Sequence, residues 1–128
     1  MTKKFLYAAG AIFVVAGLLG FVNNPLFGLL RVDAIHNIIH LATGILSLIF
    51  AGRTEGEARK FALAFGVVYG LVMILGFLTP TGDDLIAGSG KILGLITING
   101  ADNYFHVLVT AAYLYFGLKK SDDTVSNS

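Results

Sequence analysis

The sequence predicts an all-α integral membrane protein, a four-helix bundle built from two parallel two-helix repeats with both termini in the cytoplasm. Three observations predict it. First, the 128 residues are 55% hydrophobic and only 13% charged, with a mean hydropathy of +0.78. Soluble domains carry about 25% charged residues, and a chain this short buries only about two-thirds of its surface. A soluble enzyme would need polar surface that this chain lacks, and a net charge of +1 offers nucleic acid no basic patch. Second, the chain contains long stretches free of Asp, Glu, Lys and Arg. Third, the polar residues inside those stretches recur at a fixed offset. The absence of cysteine excludes disulfides, thiolate metal sites and cysteine nucleophiles.

The charge-free stretches cover residues 5–30, 34–52, 61–82, 92–101 and 103–118. A membrane-crossing helix needs about 20 mostly apolar residues. Helices are therefore expected at about 5–22, 34–51, 60–78 and 100–118, the last beginning near Gly100 and carrying Asp102 in its first turn. The first could be read as a signal peptide after Lys3 and Lys4. Its apolar run is too long for that, and Asn23-Asn24-Pro25 is a poor cleavage site. The second is preceded by Asp33 and the fourth by Asn99, both favoured N-caps. Between spans, 25–32 and 91–98 are apolar enough to be interfacial helices or re-entrant turns. Residues 79–90, with Pro80, Gly82, Gly88 and Gly90, read as an exposed loop. One transmembrane domain is expected over 1–120, followed by a polar tail at 121–128.

Orientation follows the distribution of basic residues. Lys3, Lys4, Arg53, Arg59, Lys60, Lys119 and Lys120 fall on one side, and Arg31 and Lys91 on the other. The side rich in Lys and Arg is cytoplasmic. Asp33, Asp83, Asp84 and Asp102 then lie on the outer side.

Two units, about 3–52 and 59–118, repeat. At an offset of 56, Lys4, Phe5, Ala8, Gly10 and Leu19-Gly20-Phe21 meet Lys60, Phe61, Ala64, Gly66 and Leu75-Gly76-Phe77. At an offset of 66, Gly28, Asp33, Asn37 and His40 meet Gly94, Asn99, Asn103 and His106. Each unit has two spans, so both copies point the same way and the repeat is parallel. Gly66 and Gly70 form G-x-x-x-G, and Ala16 with Gly20 a looser version, which lets helix backbones approach closely.

The residues that carry chemistry gather near the outer helix starts: His36, Asn37 and His40 in one copy, Asp102, Asn103 and His106 in the other. His36 and His40 share a helix face. His40 and His106 each occupy the seventh helical position, roughly 10 Å below the helix start, where polar side chains face the bundle interior. Three readings follow. The polar side chains serve structure, with Asn37 and Asn103 bonding the irregular outer backbone, and no cofactor is needed. Alternatively, His40 and His106 hold haem b or a metal ion, with His36 and Asp102 as further ligands or supports. Thirdly, Asp102 and the histidines line a proton or solute path.

The strings LFGLLRVDAIHNIIHLATGILSL (26–48) and NGADNYFHVLVTAAYLYFG (99–117) resemble the prokaryotic four-helix membrane proteins grouped as domain of unknown function 4383. Gly28, Val32, Asp33, His36, Asn37 and His40 fit that family's first motif, and Asp102, Asn103 and His106 its second. The resemblance implies a multi-pass protein of the prokaryotic plasma membrane and implies no activity. With no nucleophile–base–orienter set legible, the sequence points away from an enzyme. It points toward a small membrane component surrounded by the lipid bilayer, serving as an accessory or assembly subunit beside other membrane subunits or a second copy of itself.

Overall fold

The computed structural model describes residues 1–23, 26 and 28–119; the tail at 121–128 lies outside the described residues. Among the described residues there are four helices: α1 (Thr2–Leu19), α2 (Ala34–Ala51), α3 (Glu55–Leu78) and α4 (Gly100–Leu118). A two-stranded antiparallel sheet, β1 (Gly90–Ile92) and β2 (Ile96–Ile98), stands between α3 and α4. The starts of α2 and α4 fall on the expected residues. Asp33 and Asn99 adopt extended backbone, and each side chain accepts a hydrogen bond from the third residue into its helix.

α3 starts at Glu55, five residues before the expected position. Thr54 caps it, its Oγ1 accepting from Glu57 N at 3.1 Å. Glu55 and Glu57 occupy the first turn, where carboxylates complement the helix dipole. The charged residues of 55–60 therefore extend the helix rather than forming a loop. α1 starts at Thr2 and ends at Leu19, earlier at both ends than the apolar run suggests. Met1 supplies no side-chain cap, and Glu55 takes that role, accepting from Thr2 N at 3.2 Å and Lys3 N at 2.9 Å.

Segment 91–98 does not form an interfacial helix. The β-branched residues Ile92, Ile96, Thr97 and Ile98 favour extended backbone, and they pair as a hairpin with Gly90 opposite Ile98 and Ile92 opposite Ile96. Its turn passes through Leu93 (φ 51°) and Gly94 (φ 72°). The second of these positions suits glycine, which has no Cβ to clash. An isolated bridge joins Leu26 and Leu30, with Gly28 at φ 73° in the turn between them. The exposed loop at 79–90 is ordered around Asp84, whose Oδ1 accepts from Ala87 N at 2.8 Å and Ile86 N at 2.9 Å. Those bonds hold its carboxyl below the usual range.

α1 packs chiefly on α2, and α3 on α4. Small residues set both crossings. A Cβ at Gly44 would stand 2.6 Å from Val14 N, and one at Gly117 2.5 Å from Leu63 N. Gly66 is pressed against Leu114, whereas Gly70 meets only Thr110 Cγ2, at ordinary contact distance. Ala16 is buried with Leu26 and Val32. The shared centre is aromatic: Phe13, Phe61, Tyr69 and Tyr113 are buried, with Phe5, Phe65 and Phe105 packed against them.

Polarity runs inside out. Thr43, Ser47, Asn37, Asn103 and three histidines are buried, while Ile12, Leu71 and Leu108 are about 60% exposed or more. Water penalises that arrangement and hydrocarbon favours it. α1, α2 and α3 are long and apolar enough to cross a membrane. α4 is 19 residues long, with Asp102, Asn103 and His106 in its first two turns.

Candidate metal centre

Each polar residue singled out at the hairpin end of the bundle has a definite position. Asp33 works twice. Its Oδ1 accepts from His36 N at 2.8 Å, capping α2, and its Oδ2 accepts from Thr97 N at 3.1 Å, holding β2 over the helix start. Burial opposes ionisation of this carboxyl, but the bonds from His36 and Thr97 outweigh it and keep it below the usual range. Thr97 O lies 2.7 Å from His36 Nδ1. A carbonyl can only accept, so His36 donates from Nδ1, which leaves the lone pair on Nε2.

Among the described residues, that Nε2 is buried without a hydrogen-bond partner. So are both ring nitrogens of His40 and the Nδ1 of His106. Buried polar atoms are normally satisfied, and leaving one unpaired costs about 1–3 kcal/mol. Here four such atoms sit on three neighbouring rings. The His36 and His40 rings are 4.4 Å apart between centroids, His36 and His106 5.8 Å, and His40 and His106 6.4 Å. One nitrogen from each ring lies within 4.8 Å of the other two. Around a tetrahedral ion with bonds of about 2.05 Å, three nitrogens would be roughly 3.3 Å apart. Closing the triangle to that size needs each nitrogen to move inward by less than about 1 Å. Phe13 and Phe105 flank His40, and Tyr69 flanks His106.

The other polar residues face different tasks. Asp102 does not join the histidine cluster. Its Oδ2 accepts from Asn99 N at 2.9 Å and Arg31 N at 3.1 Å, while Asp102 N donates to Asn99 Oδ1 at 2.8 Å. This reciprocal capping box starts α4 and ties segment 28–31 to it. Asn99 Nδ2 donates to Leu29 O at 2.7 Å and Ile86 O at 3.1 Å. Asn103 Nδ2 donates to Gly76 O at 3.1 Å, and Asn37 lies against Gly20 so closely that a Cβ there would overlap its side chain. The backbone of the segments beside the hairpin is thus bonded by Asp33, His36, Asn99 and Asp102. Asn103 bonds the last turns of α3 instead of the segments at 25–32 or 91–98, where the sequence placed its bonds, and Asn37 packs beside the end of α1.

A cavity of about 230 Å³ opens beside the cluster between α2 and α3, lined by all three histidines, Thr43 and Tyr69 and otherwise by apolar side chains. Thr43 Oγ1 donates to Ile39 O at 2.8 Å. Its only proton is then used, so Tyr69 donates to Thr43 across 2.8 Å. One layer further from the hairpin, Ser47 and Tyr113 share a 2.7 Å hydrogen bond. Sequence reasoning singles out neither Thr43 nor Tyr69. The only available signal is that Thr43 lies three residues after His40 on the same helix face.

Against known proteins, no curated protein and no solved structure matches the chain. A family model described as Domain of unknown function (DUF4383) matches residues 3–119.

Proposed function

This chain belongs to the family described as Domain of unknown function (DUF4383), and we propose that it is a membrane protein that holds one transition-metal ion on His36, His40 and His106. The observation that carries this reading is the convergence of three buried imidazoles, each offering one nitrogen within 4.8 Å of the other two, with four of their six ring nitrogens buried without a hydrogen-bond partner among the described residues. The support of His36 by Thr97 O is the kind of outer contact that orients a ligating histidine and fixes its tautomer. Imidazole donors suit zinc, copper, iron or nickel. Three protein ligands would leave the ion a further position, and the cavity that all three histidines line adjoins the cluster.

A single ion suits the site better than haem. His36 touches the rings of both His40 and His106, so no open plane separates the two histidines for a porphyrin. An accessory subunit without a cofactor would leave the unpartnered nitrogens without a role. Asp102 stands outside the three-histidine cluster and its Oδ2 accepts from two backbone N–H groups, with Oδ1 buried and without a hydrogen-bond partner among the described residues, so it favours a proton path less than the convergent rings favour an ion.

The proposal includes the setting. All four helices cross a prokaryotic plasma membrane, with both termini cytoplasmic. Lys3, Lys4, Arg53, Arg59, Lys60 and Lys119, at the end of the bundle away from the hairpin, support that orientation, and the outward apolar faces support lipid as the surroundings. The two-unit repeat has structural support as well. Gly28 and Gly94 occupy matching turns at φ 73° and 72°, and the Asn37–Gly20 and Asn103–Gly76 contacts correspond at the same offsets. In this frame His40 and His106 form a pseudo-symmetric pair. The third ligand exists because the first copy has His36 where the second has Asp102.

Elemental analysis of the detergent-purified full chain tests the metal site. About one equivalent of a transition metal is expected, falling below about a tenth of that in His36→Ala, His40→Ala and His106→Ala, each still monodisperse. A metal-free protein that takes up no added zinc, copper, nickel or iron would overturn the reading.

A further inference from the structure

We propose, building on the three-histidine reading, that the open position of the ion is reached from within the bilayer by a small, neutral, lipophilic ligand carrying one donor atom. The position of the cavity carries this inference. It lies between α2 and α3, and its polar groups are the three histidines and the Thr43 and Tyr69 hydroxyls. The rest of its wall is aliphatic or aromatic, including Ile39, Leu46, Val68 and Val72. The side chains at its rim face outward along the helix surfaces: Val68 is 47% exposed, Leu46 37% and Ile39 36%. Ile96 of β2 lines its hairpin end, and β2 is tied there by Asp33 and His36. The mouth therefore opens sideways, on the surface that lipid covers, rather than toward the hairpin end.

The wall chemistry selects the ligand. Among the described residues, no Lys, Arg or carboxylate lines the cavity. An anion entering it would give up its hydration with only the ion as counter-charge, and an unpaired buried charge is costly. The two hydroxyls are already bonded to each other, with the Thr43 proton spent on Ile39 O. A neutral molecule with an apolar body loses little on leaving lipid and gains the metal bond. About 230 Å³ admits a diatomic gas or a body of one or two small rings, and not a long acyl chain.

Cobalt(II) reports on this directly, because its visible bands change when a fourth ligand exchanges. The full chain in detergent micelles is loaded with Co(II) and titrated with 4-phenylimidazole, a neutral lipophilic donor, and separately with sodium azide. Saturable band shifts are expected with the azole at a concentration at least about tenfold below that needed for azide. Val68→Trp and Leu46→Trp, both at the rim, should keep the Co(II) bands and weaken the azole response by about tenfold or more. Intact Co(II) bands with no azole response, with azide preferred, or with an azole response that neither Trp variant alters, overturn the inference and leave the metal site standing. Absence of Co(II) bands before any ligand is added overturns the metal reading, and this inference with it.

Discussion

His36 shows how one side chain joins local folding to the site. Its backbone N–H closes the Asp33 cap, its Nδ1 proton goes to Thr97 O, and its Nε2 remains for an ion. Asp33→Ala removes the cap and one of the two ties of β2, the other being the bond from His36 Nδ1 to Thr97 O. A loss of about 1 kcal/mol is expected from the cap alone; the His36 ring keeps its own bond to Thr97 O, so metal affinity should fall by less than the roughly 10- to 100-fold that follows loss of a ligand's direct partner. Thermal unfolding in detergent and competitive chelation measure the two separately. The pH dependence has a definite sign. Asp33 titrates below the usual carboxylate range when folded, so its stabilisation is present above the ordinary carboxylate pKa. It is lost as pH falls through the lowered value, and Asp33→Asn should flatten that acid limb. Deeper in the bundle, Tyr113→Phe breaks the bond to Ser47 and should cost roughly 1 kcal/mol.

The elements differ in how openly the sequence announces them. α2 and α4 are legible to the residue, because Asp33 and Asn99 are cap residues directly before apolar runs. The true start of α3 is also written in the chain, as Thr54 three residues before Glu57. A search for charge-free spans discards it, because the capping turn is itself charged. The hairpin at 90–98 is hidden by composition: its isoleucines read equally as membrane helix, and only Gly90, Gly94 and the β-branching hint otherwise. Of the small-residue pair Gly66 and Gly70, the first is a tight contact and the second an ordinary one, because the spacing puts both on one face but does not reveal where along that face the helices come closest. Gly70→Ala should therefore leave thermal stability within about 0.5 kcal/mol. Gly44→Ala and Gly117→Ala, which drive a methyl into a neighbouring backbone, should each cost about 1–3 kcal/mol. A thermal shift series over these three variants checks the crossings of both helix pairs.

At the scale of the whole molecule, hydrophobic residues cover the outside and polar ones are drawn to the interior, where each needs a partner. Most find one in backbone or hydroxyl groups; the three histidines face one another. Pairing His40 with His106 is legible from the repeat. The arrival of His36 at the same point is not, since that depends on how α2 and α4 cross, and neither is the withdrawal of Asp102 into its own capping box. If an ion joins the three rings, it ties α2 to α4 and stabilises the bundle by mass action. Free metal at about 100 times its dissociation constant should add about 2.7 kcal/mol, and a chelator should remove it. The most direct test of the three-histidine centre is X-ray absorption at the metal edge of the purified, metal-loaded full chain. Three imidazole nitrogens at about 2.0–2.1 Å, with one lighter or exchangeable ligand, are predicted. A metal bound without imidazole scattering, or an unchanged spectrum in His36→Ala, would contradict it.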